Sequence, residues 1–258
     1  MALIKFDQVS EHIGTITLND PDNLNAMGEA MAAEFSALVE KLRSEKSALR
    51  ALILTGAGRA FSAGGNLAML EQKQTLSGEE NRMLMLKFYH SFLSILSLNV
   101  PLVAAINGHA IGAGLCLASA CDIRIGGDQA KFGVTFTKLG LHPGMGGTYF
   151  LPRILGFPGA AELMLTGRVI DSAEALRLGL VSKVVPNDRL AQEALALANE
   201  IAGCGPESVR QVLATLRSGS QTLAAALEHE ALCQSINYRS SEFKEGVRAA
   251  MEKRKANF

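Results

Sequence analysis

Two short apolar runs, Ala51–Thr55 (ALILT) and Leu102–Ile106 (LVAAI), end in the same chemistry, and that repetition limits what the chain can become. After the first comes Gly56-Ala-Gly-Arg-Ala-Phe-Ser-Ala-Gly-Gly-Asn66, running into Leu67-Ala-Met-Leu. After the second comes Asn107-Gly-His-Ala-Ile-Gly-Ala-Gly114, running into Leu115-Cys-Leu-Ala. A short continuous apolar run closed by glycine reads as a buried strand and a break. Small residues where a loop becomes a helix expose backbone N–H groups that have no intrahelical partner. With the positive end of the helix dipole, such groups suit an anion or a developing oxyanion. Glycines that merely allow close packing would explain either corner taken alone. Two corners at comparable places in two strand–helix units favour a site with paired donors. A dinucleotide fingerprint fails at both, because Gly56 and Gly58 are followed by Phe61, and Gly112 and Gly114 by Leu117. A Walker lysine is absent too.

The remaining pattern is that of an α/β body with a helical tail. Leu3–Phe6 and Ile13–Leu18 suggest a hairpin, and Pro21-Asp22-Asn23 a turn. Met27, Met31, Phe35, Leu38 and Leu42 recur at helical spacing, which predicts a helix over 27–42. A second helix is expected over about 79–98, with Met83, Leu86, Phe88, Phe92, Ile95 and Leu96 on its buried side and Pro101 as its stop. Gly112–Ala120 reads as the next helix and Asp122–Ile125 as another strand. From Pro186 onward the segments 188–202, 206–216, 222–237 and 241–253 are all helical in pattern. Strand and helix in alternation, then helices alone, give a core over 1–195 and a helical region over 196–258.

Composition removes several functions. Lys+Arg number 25 and Asp+Glu 25, and aromatics make up 5% with no Trp, so neither the basic excess nor the stacking surface of a nucleic-acid binder exists. Hydrophobic residues at 48% permit a sizeable core and exclude wholesale disorder. Met1–Gln8 contains no apolar run of signal-peptide length, and Cys116, Cys121, Cys204 and Cys233 show no CxxC; a cytoplasmic protein with reduced thiols is expected. His12, His90, His109, His142 and His229 form no HExxH, so no metal site is indicated. Leu102–Ala120 is nearly apolar enough for a membrane span, but Asn107 and His109 sit near its centre. Such groups are costly in lipid, and a buried strand with a buried helix is the better reading.

Asn25-Ala26-Met27, Ala57-Gly-Arg-Ala-Phe-Ser-Ala-Gly-Gly-Asn66, Pro101-Leu-Val-Ala-Ala-Ile-Asn-Gly-His-Ala-Ile-Gly-Ala-Gly114, Cys121-Asp-Ile, Phe132-Gly133 and Leu139-Gly-Leu-His-Pro-Gly-Met-Gly-Gly147 occur in the order seen in the crotonase superfamily. Thr166-Gly167, Ala173-Glu-Ala-Leu-Arg-Leu-Gly-Leu-Val181 and the tail Glu252-Lys-Arg-Lys-Ala-Asn-Phe258 also resemble that enoyl-CoA hydratase/isomerase family. The resemblance spans nearly the whole chain. It implies a spiral of ββα turns with a C-terminal helical trimerisation region, assembled as a homotrimer or dimer of trimers. It implies an acyl-CoA thioester substrate, coenzyme A entering only as part of that substrate, and an enolate held by the amides of Gly65 and Ala113. Leu24, Ala26 and Ala63 resemble substrate-binding positions, Leu24 and Ala63 touching the adenine end of coenzyme A through their backbones. Lys253 resembles a lysine that reaches the coenzyme A phosphate from the same or an adjacent subunit; a solvated charge in the run Lys253-Arg-Lys255 is the other reading. Where many relatives carry a cation before the Leu-Asn-Ala motif, this chain has Asp22.

The same resemblance marks a break. The two glutamates that the hydratases use fall at Cys116 and Phe136 here. Hydration needs one group to activate water and another to deliver a proton. Phe136 does neither, and reads as a wall of the acyl pocket. A cysteine is only slightly ionised at neutral pH, so Cys116 reads as a small buried residue or, failing that, a nucleophile. His142, before Pro143-Gly144, is the candidate relocated acid or base, a packed loop histidine being the alternative. Asn66 either bonds the substrate or caps the following helix. His109 reads as structural, and His90 ranks below His142. Isomerisation, decarboxylation and hydrolysis all stay open. A non-catalytic acyl-CoA-binding or assembly subunit is the alternative function.

Overall fold

The computed structural model describes residues 2–45, 48–219 and 222–258. In chain order its elements are β1 (Ile4–Ser10), β2 (Ile13–Leu18), α1 (Glu29–Ser44), β3 (Ala51–Gly56), β4 (Ala60–Ser62), α2 (Leu67–Gln72) and α3 (Gly78–Leu93). Then come β5 (Leu102–Ile106), β6 (His109–Ile111), α4 (Ala113–Ala120), β7 (Ile123–Gly127), β8 (Lys131–Gly133), α5 (Gly147–Thr166), β9 (Val169–Asp171), α6 (Ser172–Arg177) and β10 (Lys183–Val185). The chain finishes in α7 (Leu190–Ala202), α8 (Pro206–Ser218), α9 (Leu223–Asn237) and α10 (Ser241–Glu252).

The strands form a six-stranded sheet in the order β1-β2-β3-β5-β7-β10 and a four-stranded sheet in the order β4-β6-β8-β9. Only β1/β2 and β8/β9 pair antiparallel; the other pairings are parallel. Three successive turns, β3-β4-α2, β5-β6-α4 and β7-β8-α5, each lay one strand in the large sheet and one short strand in the small sheet before a helix. This is the expected ββα spiral. The short second strands, three residues each, were hidden inside what the sequence suggested was loop.

Strands β3 and β5 are almost wholly apolar because both faces are covered. Leu52, Leu54, Leu102, Ala104 and Ile106 point into the main core with Phe35, Phe61 and Phe92. Ile53, Val103 and Ala105 point the other way, onto Leu190, Ala194, Ala198 and Ala202 of α7. The expected division at 195/196 therefore falls inside α7, a helix whose buried face covers the sheet. The run 102–120 is resolved into β5, β6 and α4, and no helix among the described residues is long and apolar enough to cross a membrane. No group of residues there could hold a metal ion.

The helical tail is tied to the core through Arg217 of α8. Its guanidinium donates to both carboxylate oxygens of Asp122, at 2.9 and 2.7 Å, and to the carbonyls of Leu98 and Val100. Helix α9, by contrast, buries none of its residues; Leu223, Leu227, Leu232 and Ile236 stand exposed.

Candidate active site

The first corner is held by hydrogen bonds to the segment 24–27. Ala63 N donates to Leu24 O (2.9 Å), Met27 N to Gly64 O (2.7 Å) and Asn66 N to Met27 O (3.0 Å). Beneath them the fully buried Asn25 donates through Nδ2 to the carbonyls of Ala57 (2.9 Å) and Ala60 (2.8 Å), and Ser62 Oγ donates to Asn25 O. Leu24 and Asn25 adopt φ of 53° and 55°, the left-handed region in which Asn is the better tolerated of the two. The Asn-Ala-Met motif thus braces the corner.

The second corner packs directly on the first. Strand β4 pairs with β6, and Gly64, at φ 97°, lies so close that a Cβ there would sit 2.7 Å from Ile111 O and 3.5 Å from Ala113 N. A Cβ on Gly114 would lie 2.7 Å from Ser62 O. The glycines that could have been explained by packing alone do pack closely, and by doing so they bring the two corners together. Ala113 opens α4, where a first-turn N–H has no intrahelical acceptor. Neither Gly65 N nor Ala113 N donates a hydrogen bond to another described residue.

Both residues line one cavity of about 620 Å³. Its wall also includes Ala26 and Ala63 from the first corner, Phe136, and Leu141, His142 and Met145 from the loop before α5. Helix α3 contributes Asn81, Met85, Phe88 and Tyr89, residues that share one helical face. No Asp, Glu or Cys is among the lining residues. The charged ones are Lys73, whose Nζ lies 3.1 Å from Glu29 Oε1, and Lys138. The Nδ1 of His142 donates to Pro143 O at 2.8 Å, which leaves Nε2 of the neutral ring as an acceptor.

The other candidate residues do not line this cavity. Cys116 does not reach the cavity: α4 is buried on every side, and a Cβ on Gly147 would touch Cys116 Sγ at 2.7 Å. Burial pushes its thiol up to about 12, so it is neither nucleophile nor acid there. Asn66 stands at the N-terminus of α2, its Oδ1 accepting from Met69 N (3.0 Å), which is the capping role. Leu24 accepts a hydrogen bond from Ala63 N without lining the cavity itself, and Lys253 is exposed at the end of α10. His90 and His109 are outside the cavity as well. Met83 and Leu86, expected on the buried side of α3, are exposed, since the face that turns inward is the one carrying Met85, Phe88 and Tyr89. Sequence reasoning missed Tyr89, Asn81, Lys73, Lys138 and Thr135 as wall residues. The available signal for the first two was two polar side chains on an otherwise apolar helical face.

The model of the enoyl-CoA hydratase/isomerase family matches residues 8–258. Over 248 residues the chain is 38% identical to a probable enoyl-CoA hydratase of Rhizobium meliloti, covering 95% of this chain and 94% of that protein. It is 36% identical over 250 residues to a crotonyl-CoA hydratase of Syntrophomonas wolfei, covering 96% and 95%. The crystal structure of an enoyl-CoA hydratase from Bacillus anthracis matches with a TM-score of 0.91 at 34% identity, covering 100% of this chain and 99% of that one. The ββα spiral, the two corners on one cavity and the sequence match agree from end to end, and the chain belongs to the enoyl-CoA hydratase/isomerase family, within the crotonase superfamily of acyl-CoA enzymes.

Proposed function

We propose that this protein forms and quenches the enolate of an acyl-CoA thioester, and that it is not a hydratase. The amides of Gly65 and Ala113 bind the thioester oxygen as it gains negative charge. Two fixed donors act there without reorganisation, and removal of one such donor typically costs about 10²–10³ in rate. The observation that carries the reading is a wall holding both corners but no carboxylate. Hydration across a double bond needs two proton-handling groups placed about the same bond, and the wall offers none of the carboxyl kind. Phe136, close to Gly112, dries the place where water would have to be activated.

His142, through Nε2, takes the proton from the acyl α-carbon when the enolate arises by C–H cleavage. Isomerisation and decarboxylation of a β-carboxylated acyl-CoA both fit this equipment. The exposed leucines of α9 suit self-association into a trimer or dimer of trimers, with Lys253 of a neighbouring copy near the coenzyme A phosphate. All four cysteines are free thiols, which fits the cytoplasm.

The test uses Ala113→Pro. Proline is tolerated at the first position of a helix and replaces the N–H by a ring carbon. The expected result is a fall of about 10²–10³ in enolate-dependent turnover, read as α-hydrogen exchange in heavy water and as CO₂ release from malonyl-type thioesters. Crotonyl-CoA hydration at a rate typical of hydratases would overturn the reading, as would an Ala113→Pro variant of parental activity.

A further inference from the structure

An enolate needs an acid to quench it, and the wall offers few protonated groups. Lys73 is engaged with Glu29, and Lys138 is exposed, with its stem against Gly167. His142 is also exposed, and its Nδ1–H is committed to Pro143 O. Tyr89 is different. It projects from α3, is partly buried and lies on the cavity wall. Its Oη sits against the loop that carries His142: a Cβ placed on Gly144 would lie 2.3 Å from it. Its ring packs edge-on to Phe88 with centroids 6.3 Å apart, which fixes where the hydroxyl points. The hydroxyl has no hydrogen-bond partner among the described residues. Its helix, α3, packs against α4, which carries Cys116.

We propose that Tyr89 is the proton donor of this site, a catalytic acid brought in from α3 in place of a carboxyl group on the spiral's own helices. The inference rests on the enolate reading above. In the step, the electron pair of the enolate forms a C–H bond at the α-carbon while the phenol O–H bond breaks. The negative charge passes from the thioester oxygen to Oη, and the phenolate then recovers a proton from solvent. Burial, with the Cys116 thiol nearby, raises the Tyr89 phenol above its ordinary value. The group therefore stays protonated at neutral pH, and its phenolate reclaims a proton readily.

The experiment uses acetoacetyl-CoA, a β-ketothioester whose enolate is read by its ultraviolet absorbance, on the full-length parent, Tyr89→Phe and Ala113→Pro. Phenylalanine keeps the contact with Phe88, so a parental melting curve and parental acetoacetyl-CoA affinity are expected. The hydroxyl's loss should cut turnover on the substrate found above at least about tenfold, while the bound enolate fraction at fixed pH stays parental, because an acid sets the rate of protonation and not the equilibrium. If Ala113→Pro loses the enolate band while Tyr89→Phe retains parental band and turnover, the enolate reading survives and the Tyr89 assignment falls alone. A parent that binds acetoacetyl-CoA without any enolate band overturns both.

Discussion

The two corners are built from the same kind of sequence and held in place by different forces. The first feeds α2, six residues long, which buries Met69 alone and is capped by the side chain of Asn66. The second feeds α4, in which all eight residues are buried and no side chain caps the start. A helix packed on every side needs no cap to stay formed, whereas a short exposed one depends on local hydrogen bonds. The proposed site thus pairs an amide at Ala113, set by the core, with one at Gly65, set by hydrogen bonds to residues 24–27. Damage should spread differently from each: through global stability from the second corner, through local geometry from the first.

The sharpest break is Gly114→Ala. The added methyl would lie 2.7 Å from both the Cβ and the backbone oxygen of Ser62, and neither can retreat. The expected loss exceeds about 3 kcal/mol by denaturant titration, with no change in the cooperativity of the transition. A loss below about 1 kcal/mol would mean that the corners are not locked together.

Alkaline pH separates the corners next. Helix α4 carries Cys116 and ends at Cys121, both pushed up to about 12 by burial, while residues 56–72 contain no thiol. A thiol whose folded value is raised keeps its proton in the folded state after the unfolded chain has released it. Its stabilisation is complete below the ordinary thiol value near 9 and is lost as pH rises from there toward 12. Stability should therefore fall by about 1.4 kcal/mol per pH unit for each thiol across that window. Cys116→Ala should halve the slope, as read from denaturation midpoints at successive pH values. An unchanged slope would place the alkaline weakness elsewhere.

These forces also explain what the sequence could reveal. The buried strands at 51–56 and 102–106 announced themselves because covering both faces demands a continuous apolar run. The amphipathic helices of the tail were equally plain. The strands at 60–62, 109–111 and 131–133 were not, because three residues carry too little alternation to stand out from a glycine-rich loop. Helix α5 escaped notice because Pro152, Pro158 and Gly156, the last at φ 68° and ψ 168°, disrupt its pattern. Gly65 and Ala113, proposed from their motifs, do share one cavity wall, since a backbone amide needs only the right loop to reach it. Cys116 reads first as a small buried residue, and α4, buried on every side, holds it so. Tyr89 was invisible because it comes from an element that no motif connects to the corners, and only the folded chain brings it to them.

The mildest test falls on the first corner's own support. Asn66→Ala removes the acceptor from Met69 N and should cost about 1 kcal/mol, the usual value of an N-cap. What distinguishes the two corners is where that cost appears. If α2 is held locally, amide hydrogen exchange should quicken over residues 67–72 and stay unchanged over 113–120. Turnover should drop a few-fold, because Gly65 precedes the lost cap and its amide is then less firmly aimed. Faster exchange in both helices would show that α2 is braced by the common core after all, and the two donors would have to be treated as one rigid unit.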